Sequence, residues 1–485
     1  METTSHTIRR IAIIGGGISG LAAAHRVVEL DSACRPVLFE RRGRLGGALW
    51  TKHEHGYQVE QGVDNFITTL PWGVDLCRRL GLEDQLVPTN PKFRHTYVVR
   101  RGRLYKLPDG FLMMAPTRLW PLALTPILSP LGKLRCAVEY VLPPRKNPPD
   151  ESIAAFVRRR LGREAYERLV EPLVSAVYAA DLEKLSIEAT LARFRQMEQD
   201  HGSIVRALRR AVKQRRREGQ RRSESGPRFS MFVTLRAGLS SLVEAIAARL
   251  PDGAVRLNTA VQRIERHGDG WRVWTARAEA GASAPDDGED FDALIVAAPS
   301  YVAADLVRPI ESTLADDLSA ITHSGTAIIT FAFDREQIDH PLDAMGIVVP
   351  GVEGSPILAC SLSSQKYAHR APEGKVLLRV FVGGMRCPEM AEMAEDELRP
   401  RVLGELARWL GIRGEPHYST VARWPRTMPQ YHVGHKELVQ RIEARAADLP
   451  NFALCGNAYH GVGIPDCVHT AEQAAERVLG KLREP

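Results

Sequence analysis

The sequence predicts a mixed α/β fold in which one parallel sheet is assembled from three separate stretches of the chain. An apolar run at 11–14 leads through a glycine-rich turn into a helix and then into a second strand at 36–40. A strand-rich segment follows at 254–299, and a strand, a glycine turn and a helix follow at 452–482. Strands of buried parallel sheets are near-continuous apolar runs, as these are. The intervening segments predict one helical region and one antiparallel sheet.

Length and composition are those of an ordinary globular protein. The 485 residues suffice for two or three domains, with 44% hydrophobic and 25% charged residues. The formal charge of +7 allows attraction to anionic membranes, nucleic acids or acidic substrates and selects none of them. Seven cysteines without a C-x-x-C pair predict a reducing compartment with neither disulfides nor a zinc site. Residues 1–10 lack the apolar region of a signal peptide, so we expect a cytoplasmic protein.

The first strand–turn–helix unit carries the pattern G-x-G-x-x-G in its full structural context. Gly15 permits the tight turn, Gly17 lets the backbone approach a pyrophosphate, and Gly20 lets the helix pack closely on the sheet. The helix N-terminus then offers aligned N–H donors to the anion. Glu40 ends the second strand, where a carboxylate reaches a ribose hydroxyl. The unit therefore predicts a bound dinucleotide.

A basic loop with paired glycines distinguishes a flavin from a nicotinamide dinucleotide. It runs from Arg41 to Gly46 and Gly47, where a nicotinamide-only domain would normally begin its next helix. A glycine doublet that lets the backbone approach a second face of the pyrophosphate favours FAD. Arginines at this place could also contact the 2′-phosphate of NADP, but the Glu40 carboxylate would repel that phosphate.

The strongly apolar segment 111–131 allows two interpretations. Its four prolines exclude one straight membrane-spanning helix, because unpaired backbone groups are costly in lipid. It forms either a buried wall of the substrate pocket or a patch that dips into one leaflet of a membrane. Basic neighbours slightly favour the membrane interpretation, since anionic lipid would attract them.

Two other patterns are interpreted as solvated surface. Residues 206–228 are dense in arginine, which indicates a helix end followed by a flexible loop more than a binding patch. His432 and His435 are spaced like a weak metal-binding pair, but no cysteine or carboxylate accompanies them in the sequence. We therefore expect these histidines in a surface loop and no metal in the protein.

Three further segments make the chain recognisable. They are Gln61–Phe66, with the sequence QGVDNF, Glu171–Asp181, with EPLVSAVYAAD, and Gly456–Cys467, with GNAYHGVGIPDC. Together with the N-terminal motif they closely resemble the oxygen-dependent porphyrinogen oxidases of haem biosynthesis. Members of that family oxidise protoporphyrinogen IX or coproporphyrinogen III. The resemblance extends over nearly the whole chain, and its C-terminal segment is the most specific region.

The resemblance implies a split Rossmann-type FAD-binding domain of the amine-oxidase type, an antiparallel-sheet substrate domain and a helical, membrane-associated domain. It implies five segments along the chain: a first FAD-binding segment at 1–75, the helical domain at 76–228, a second FAD-binding segment at 229–310, the substrate-binding sheet at 311–420, and a third FAD-binding segment at 421–485.

The resemblance also implies which residues hold noncovalently bound FAD. The adenine half would be held by Gly15, Gly17, Gly20, Glu40, Arg41, Gly46, Gly47 and the backbone of Val261. The isoalloxazine and its phosphate arm would be flanked by Trp424, Gly456, Asn457, Val462, Gly463 and Ile464. A helix that begins after Asn457 would also favour the negative charge of a reduced flavin.

For the substrate, the resemblance points to Tyr367 beside a pyrrole ring and to Val348 on the opposite wall. Two positions depart from the family pattern. Thr96 stands where many relatives have an arginine that grips a propionate, and Ala176 replaces a glycine beneath the flavin. Both departures favour the bacterial branch that can use coproporphyrinogen III. Candidate cations for the propionates are Arg94, Arg100, Arg193 and Arg195.

The expected activity is the oxidation of a porphyrinogen to a porphyrin, with dioxygen as acceptor and hydrogen peroxide as product. Porphyrinogen and dioxygen are the expected partners, together with a peripheral membrane contact. Nucleic acid is not expected as a partner. The sequence does not decide whether the protein forms a homodimer. One alternative is another flavin oxidase of this fold, acting on amines or polyenes. The other is an escort protein that has lost catalysis, which the intact glycine motif disfavours.

Overall fold

The computed structural model describes residues 8–145, 149–219, 231–277 and 288–483. Within the arginine-dense stretch 206–228, the residues from 220 onward lie outside the described residues, as does the start of the segment 1–10 that was inspected for a signal peptide. The described residues form two large sheets, several short ones and a set of helices.

Twenty-two strands are described. In chain order they are β1 (Arg9–Ile14), β2 (Cys34–Phe39), β3 (Thr51–Glu54), β4 (Tyr57–Glu60), β5 (Phe66–Ile67), β6 (Leu86–Pro88), β7 (Thr96–Arg100), β8 (Arg103–Lys106), β9 (Phe111–Leu112), β10 (Ala115–Pro116), β11 (Phe232–Leu235), β12 (Val255–Arg256), β13 (Thr259–His267), β14 (Gly270–Arg277), β15 (Glu289–Phe291), β16 (Ala293–Val296), β17 (His323–Asp334), β18 (Gly346–Val348), β19 (Ile357–Leu362), β20 (Lys375–Gly383), β21 (Tyr418–Pro429) and β22 (Phe452–Leu454).

Eighteen α-helices are described. In chain order they are α1 (Ile18–Leu30), α2 (Trp72–Arg79), α3 (Leu119–Leu124), α4 (Pro130–Val138), α5 (Ile153–Leu161), α6 (Arg163–Ala165), α7 (Glu171–Tyr178), α8 (Ile187–Thr190), α9 (Ala192–His201), α10 (Ile204–Gly219), α11 (Ser240–Ala247), α12 (Ser300–Val307), α13 (Ser312–Ser319), α14 (Ser363–Lys366), α15 (Glu389–Glu392), α16 (Glu395–Leu410), α17 (His435–Asp448) and α18 (Ile464–Arg483).

The first large sheet is parallel and has the strand order β12-β2-β1-β16-β22. Its strands come from the three stretches that the sequence analysis picked out. Alternate residues of β1 face two helical layers. Ile11 and Ile13 belong to the core with α1, α11 and α18, whereas Ala12 and Ile14 belong to the core with α12, α13 and α17. The carboxyl ends of β1, β16 and β22 therefore meet at one edge, where a ligand of such a sheet binds.

The second large sheet has the order β21-β17-β20-β19-β18-β7-β8 and is antiparallel except where β18 pairs with β7. β17, β18, β19 and β20 lie within 311–420, the segment expected to form the substrate-binding sheet. β7 and β8 join this sheet from a distant region of the chain, which was not expected. One face of the sheet packs on α16, which leaves the opposite face toward the helical region.

One part of the apolar segment 111–131 is buried, as a pocket wall would be, and another part is exposed, as a membrane-contacting patch would be. Met114, Ala115, Ile127 and Leu128 are buried in the core of the helical region. By contrast, large apolar side chains of α3, α4 and the turn after them are exposed; they are Leu119, Trp120, Leu124, Leu131, Leu134, Val138, Tyr140 and Val141. No described helix is long and apolar enough to cross a membrane.

The expectation that His435 lies in a surface loop is wrong. His435 opens α17, is 4% exposed and stacks on the ring of Tyr431 at 4.1 Å between ring centroids. Its Nε2 lies 3.1 Å from the carbonyl oxygen of Tyr459. Burial lowers the pKa of His435 to about 4, so the ring is neutral and serves packing.

Candidate active site

The first turn has the backbone that the glycine pattern predicts. Gly15 has φ +112°, and a Cβ there would lie 2.6 Å from the carbonyl oxygen of Ala297. A Cβ on Gly20 would overlap the carbonyl oxygen of Gly15, so α1 packs directly on the turn. A Cβ on Gly17, at the N-cap of α1, would meet no heavy atom within 4 Å. This space at a helix N-terminus fits a phosphate group.

Glu40 lies at the carboxyl end of the neighbouring strand β2. Its two carboxylate oxygens accept hydrogen bonds from the backbone N–H groups of Gly16, at 2.7 Å, and Arg42, at 2.8 Å. The same residue accepts a backbone bond of 2.9 Å from Thr259, at the start of β13. Val261 lies two residues further along, at an irregularity in the β13–β14 pairing. Glu40 and Val261 are thus brought to the same end of the site.

The paired glycines lie directly against the first turn. Gly46 and Gly47 have φ values of +95° and +57°, and Gly46 N–H donates to the carbonyl oxygen of Gly16 at 2.8 Å. Gly46 also forms a bridge of parallel type with Gly17. The guanidinium of Arg44 donates to the carbonyl oxygen of Gly47 at 2.8 Å. The basic loop therefore closes over the phosphate space, whereas the side chain of Arg41 itself is exposed.

The C-terminal segment completes the same site from the far end of the chain. Gly456 follows β22 with φ +132° and faces Ser19 of α1. Asn457 is fixed from both sides: its side-chain amide donates to Thr427 at 3.1 Å, and its carbonyl oxygen accepts from Tyr431. Residues 462–464 then lead into α18, whose N-terminus is Ile464.

Trp424, on β21 of the second sheet, contacts the segment that follows β4. It is 5% exposed, and its indole N–H donates to the carbonyl oxygen of Gln61 at 2.7 Å. A Cβ on Gly62 would lie 3.2 Å from the same indole and still closer to the carbonyl oxygen of Ala48. The segment 61–65 is thereby held between the glycine loop and the second sheet.

One face of the second sheet carries an apolar row in register across five strands. It consists of Val98, Val348, Ala359, Phe381 and Ile328. Helix α7 packs over β18 and β19, and three predicted residues meet in the resulting cluster: Val348, Ala176 and Val462. Ala176, Val462 and Phe381 remain partly exposed there. These three side chains give the cluster apolar surface that a ligand can contact.

The other predicted substrate residues lie elsewhere. Thr96 lies two residues before Val98 on β7 and therefore on the same face of the sheet. Arg94 is exposed in the segment before β7. Tyr367 is 1% exposed, and the guanidinium of Arg370 covers its ring at 4.3 Å from the centroid. Arg195 is buried and donates to Glu151 at 3.0 Å and to Pro149. This arginine therefore stabilises the helical region and is not at the pocket mouth.

Sequence reasoning missed a cluster of buried charges beside segment 61–65. The carboxylate of Asp64 lies 3.2 Å from Lys366 Nζ, 3.2 Å from Arg370 Nη1 and 3.4 Å from Arg379 Nη1. Burial alone would raise the pKa of Asp64, but the three cations, Lys366 foremost, hold it well below its usual range. The usable signal was Arg379, a charged residue inside the buried run Val376–Val380.

Known proteins are similar to this chain over nearly its whole length. The model of the family "Flavin containing amine oxidoreductase" matches residues 18–479. A coproporphyrinogen III oxidase from Bacillus subtilis (strain 168) is 33% identical, with 98% of each chain covered. A chloroplastic protoporphyrinogen oxidase from Nicotiana tabacum is 31% identical, over 97% of this chain and 85% of the relative.

Solved structures extend the likeness to three dimensions. A protein from Exiguobacterium sp. 255-15, provisionally described as a protoporphyrinogen oxidase, superposes with a TM-score of 0.85 at 30% identity, covering 98% of this chain and 99% of that one. A putrescine oxidase with a TM-score of 0.67 and 15% identity shares the fold alone. The protein therefore belongs to the flavin-containing amine oxidoreductase family, and its cofactor is FAD.

Proposed function

We propose that the protein oxidises a porphyrinogen, coproporphyrinogen III in preference to protoporphyrinogen IX, to the corresponding porphyrin. Dioxygen is the electron acceptor and hydrogen peroxide the product, as in haem biosynthesis. The observation that carries this proposal is the extent of the similarity: 33% identity to a coproporphyrinogen III oxidase covers 98% of both chains. The likeness thus includes the sheet face and α7, which form the substrate walls, as well as the FAD-binding segments.

FAD, when bound, accepts hydride equivalents from the substrate and passes electrons to dioxygen. The chain's own residues bind and orient. Phe381, the partly exposed member of the sheet row, would offer apolar surface to the tetrapyrrole. Ala176 and Val462 are also partly exposed in the same apolar cluster and would add to that surface. Gly17 and the N-terminus of α1 would hold the pyrophosphate, and Glu40 would accept a hydrogen bond from a ribose hydroxyl.

Three rounds of this oxidation remove the six hydrogens that separate a porphyrinogen from a porphyrin. The experiment is aerobic incubation of the purified holoprotein with each porphyrinogen in separate reactions, followed by porphyrin fluorescence. We expect porphyrin to form well above the rate of autoxidation and faster from coproporphyrinogen III. Fluorescence at the autoxidation rate with both compounds contradicts the proposal. A yellow flavin spectrum with activity on an amine only favours the amine-oxidase alternative.

We further propose that the protein is cytoplasmic and makes a peripheral contact with an anionic membrane. The exposed apolar side chains of α3, α4 and the following turn support this contact; Trp120 is 73% and Leu131 is 79% exposed. The test is sedimentation with vesicles of phosphatidylglycerol and, separately, of phosphatidylcholine. We expect binding to the anionic vesicles that falls strongly in W120S/L131S. Equal binding by the variant contradicts the proposal.

A further inference from the structure

Helix α7, which carries Ala176 of the apolar cluster, is attached to the second sheet at both of its ends. At its N-terminus the carboxylate of Glu171 accepts a hydrogen bond of 2.9 Å from the backbone N–H of Gly351, in the turn between β18 and β19. At its C-terminus the carbonyl oxygen of Ala179 accepts one of 2.9 Å from the backbone N–H of Met385, two residues after β20. One helix is therefore held by two connections of the sheet.

Arg386 joins these two connections to each other. Its guanidinium donates to the carbonyl oxygens of Val349, at 3.0 Å, and Ile357, at 2.5 Å, which lie at the two ends of the β18–β19 turn. The same guanidinium lies 3.6 Å from the carboxylate of Glu171. The side chains of Glu171 and Arg386 are 15% and 19% exposed, so salt screens this contact little. Residues 385 and 386 thus reach both ends of α7.

Glu171 is the only charged residue of α7. Its carboxylate also accepts a hydrogen bond of 3.2 Å from the hydroxyl of Ser175, one turn further along the helix. Burial raises the pKa of Glu171, and the N–H of Gly351 and the charge of Arg386 oppose this rise. Burying a carboxylate costs free energy, which these contacts offset only while α7 keeps this position.

The backbone before α7 is irregular. The preceding residues, Tyr166–Val170, form a π-helical turn, and Pro172 has no backbone N–H to donate. The direction of α7 is therefore less constrained by backbone hydrogen bonds than it would be in a continuous α-helix. The contacts of Glu171 lie at this junction, where they can set the position of the helix.

The attachment lies beside the surface that the proposed substrate would contact. Val348 precedes Gly351 by three residues and belongs with Ala176 to one apolar cluster, in which α7 packs on β18 and β19. Phe381 of β20 is packed against the same cluster and, like Ala176, is partly exposed. A movement of α7 would carry Ala176 with it and change the separation of Ala176 and Phe381.

We propose that Glu171 is a positioning residue for the porphyrinogen. It holds α7 at a fixed distance from the second sheet, so that Ala176 and Phe381 present their exposed surfaces to the same bound ring. Glu171 acts through Gly351 and Arg386, and not by contact with the substrate. The proposal rests on the proposed function for the identity of the ring, whereas the placement of α7 does not depend on that identity.

The first measurement needs no substrate. Hydrogen exchange is followed by mass spectrometry for the peptide that contains α7, in the wild-type holoprotein and in E171A. The variant removes an acceptor from the N–H of Gly351 and an anion from Arg386, so we expect the amides of α7 to exchange about tenfold faster. The matched control is E167A, which removes a carboxylate paired with the exposed Arg163 and should leave the exchange of α7 unchanged.

The second measurement is the steady-state oxidation of coproporphyrinogen III. In E171A we expect KM to rise about tenfold and kcat to stay within about threefold of the wild type, because substrate binding and not flavin reactivity depends on α7. The FAD content and the flavin absorbance spectrum should not change. E171Q keeps an oxygen that can accept from Gly351, so its KM should rise only about threefold.

Unchanged exchange of α7 in E171A overturns the proposal, whatever the substrate of the protein is. Faster exchange with an unchanged KM also overturns it, because Glu171 would then stabilise the helix without positioning a substrate. Should E171A not fold, E171Q decides by the same two measurements. A wild type that oxidises no porphyrinogen contradicts the proposed function and with it the substrate part of this proposal, while the exchange result still decides whether Glu171 places α7.

Discussion

The glycine loops and the buried charge cluster beside segment 61–65 are built by opposite means. The loops, at 15–20 and 46–47, act through backbone that no side chain obstructs, with Gly15 against Ala297 and Gly46 against Gly16. The cluster acts through long charged side chains, and its central pair, Lys366 and Asp64, is separated by 302 positions. The glycines of the loops form a short sequence pattern that can be recognised before the fold is known, whereas the charged pairs of the cluster are recognised only in the completed fold.

The comparison extends to what each region costs the protein. The glycines destabilise the folded protein because they lose more conformational entropy on folding than other residues do. They leave space for a ligand where a side chain would fill it. The cluster places several charges out of water, where each depends on its partners. Changes in the loops should therefore alter cofactor binding, and changes in the cluster should alter folding.

Removal of Asp64 should have the largest effect. In D64A three buried cations lose the carboxylate that they share, and we expect the free energy of unfolding to fall by roughly 3–5 kcal/mol. Urea unfolding monitored by circular dichroism measures this. D75A is the control, since it removes an exposed carboxylate paired with Arg78 and should leave the midpoint almost unchanged. Equal midpoints for both variants would show that the cluster does not stabilise the fold.

An aspartate at Gly17 should separate cofactor binding from folding. The position has φ −73° at the N-cap of α1, where Asp is a favoured residue and a Cβ meets no atom. The fold of G17D should be retained, but its carboxylate should repel the pyrophosphate and weaken FAD binding about a hundredfold, or ~2.7 kcal/mol. Titration of the apoprotein with FAD measures this. G17N has the same shape without the charge, so equal losses in both variants would contradict a phosphate at this place.

Acid should destabilise the fold through protonation of the buried His435 at a higher pH than that at which it protonates the Asp64 cluster. The folded-state pKa of His435, about 4, lies below the ordinary 6.5 because the ring is buried, so the unfolded chain binds the extra proton. Stability is present above pH 6.5 and is lost as the pH falls toward 4, by about 2 kcal/mol at pH 5. Asp64 keeps its charge throughout this range because its pKa is far lower.

The measurement is the free energy of unfolding at pH 7 and pH 5 for the wild type and H435Q. H435Q lacks the titrating ring. Its free energy of unfolding should therefore fall by about 2 kcal/mol less than that of the wild type between pH 7 and pH 5. The other histidines contribute equally to both proteins and cancel. An identical pH dependence would mean that His435 is not buried as a neutral ring.

The backbone of the glycine turns follows more directly from the sequence than the surroundings of the proposed substrate residues do. The turn at Gly15 follows from local stereochemistry, and the apolar runs beside it identify the parallel strands. Val348 and Ala176 belong to one apolar cluster, whereas Tyr367 is covered by Arg370, whose side chain is held inward by the distant Asp64. The buried His435 escaped prediction for a similar reason, because its partner Tyr431 lies in a loop whose path depends on the completed fold.

The most direct test of the central claim, that bound FAD oxidises a porphyrinogen, is an anaerobic stopped-flow experiment. Wild-type holoprotein is mixed with coproporphyrinogen III while the visible absorbance of the flavin is recorded. We predict rapid bleaching of the flavin, its return when dioxygen is admitted, and three equivalents of hydrogen peroxide per porphyrin formed. Porphyrin that forms while the flavin stays oxidised, or a flavin that bleaches with amines and not with the porphyrinogen, would contradict the claim.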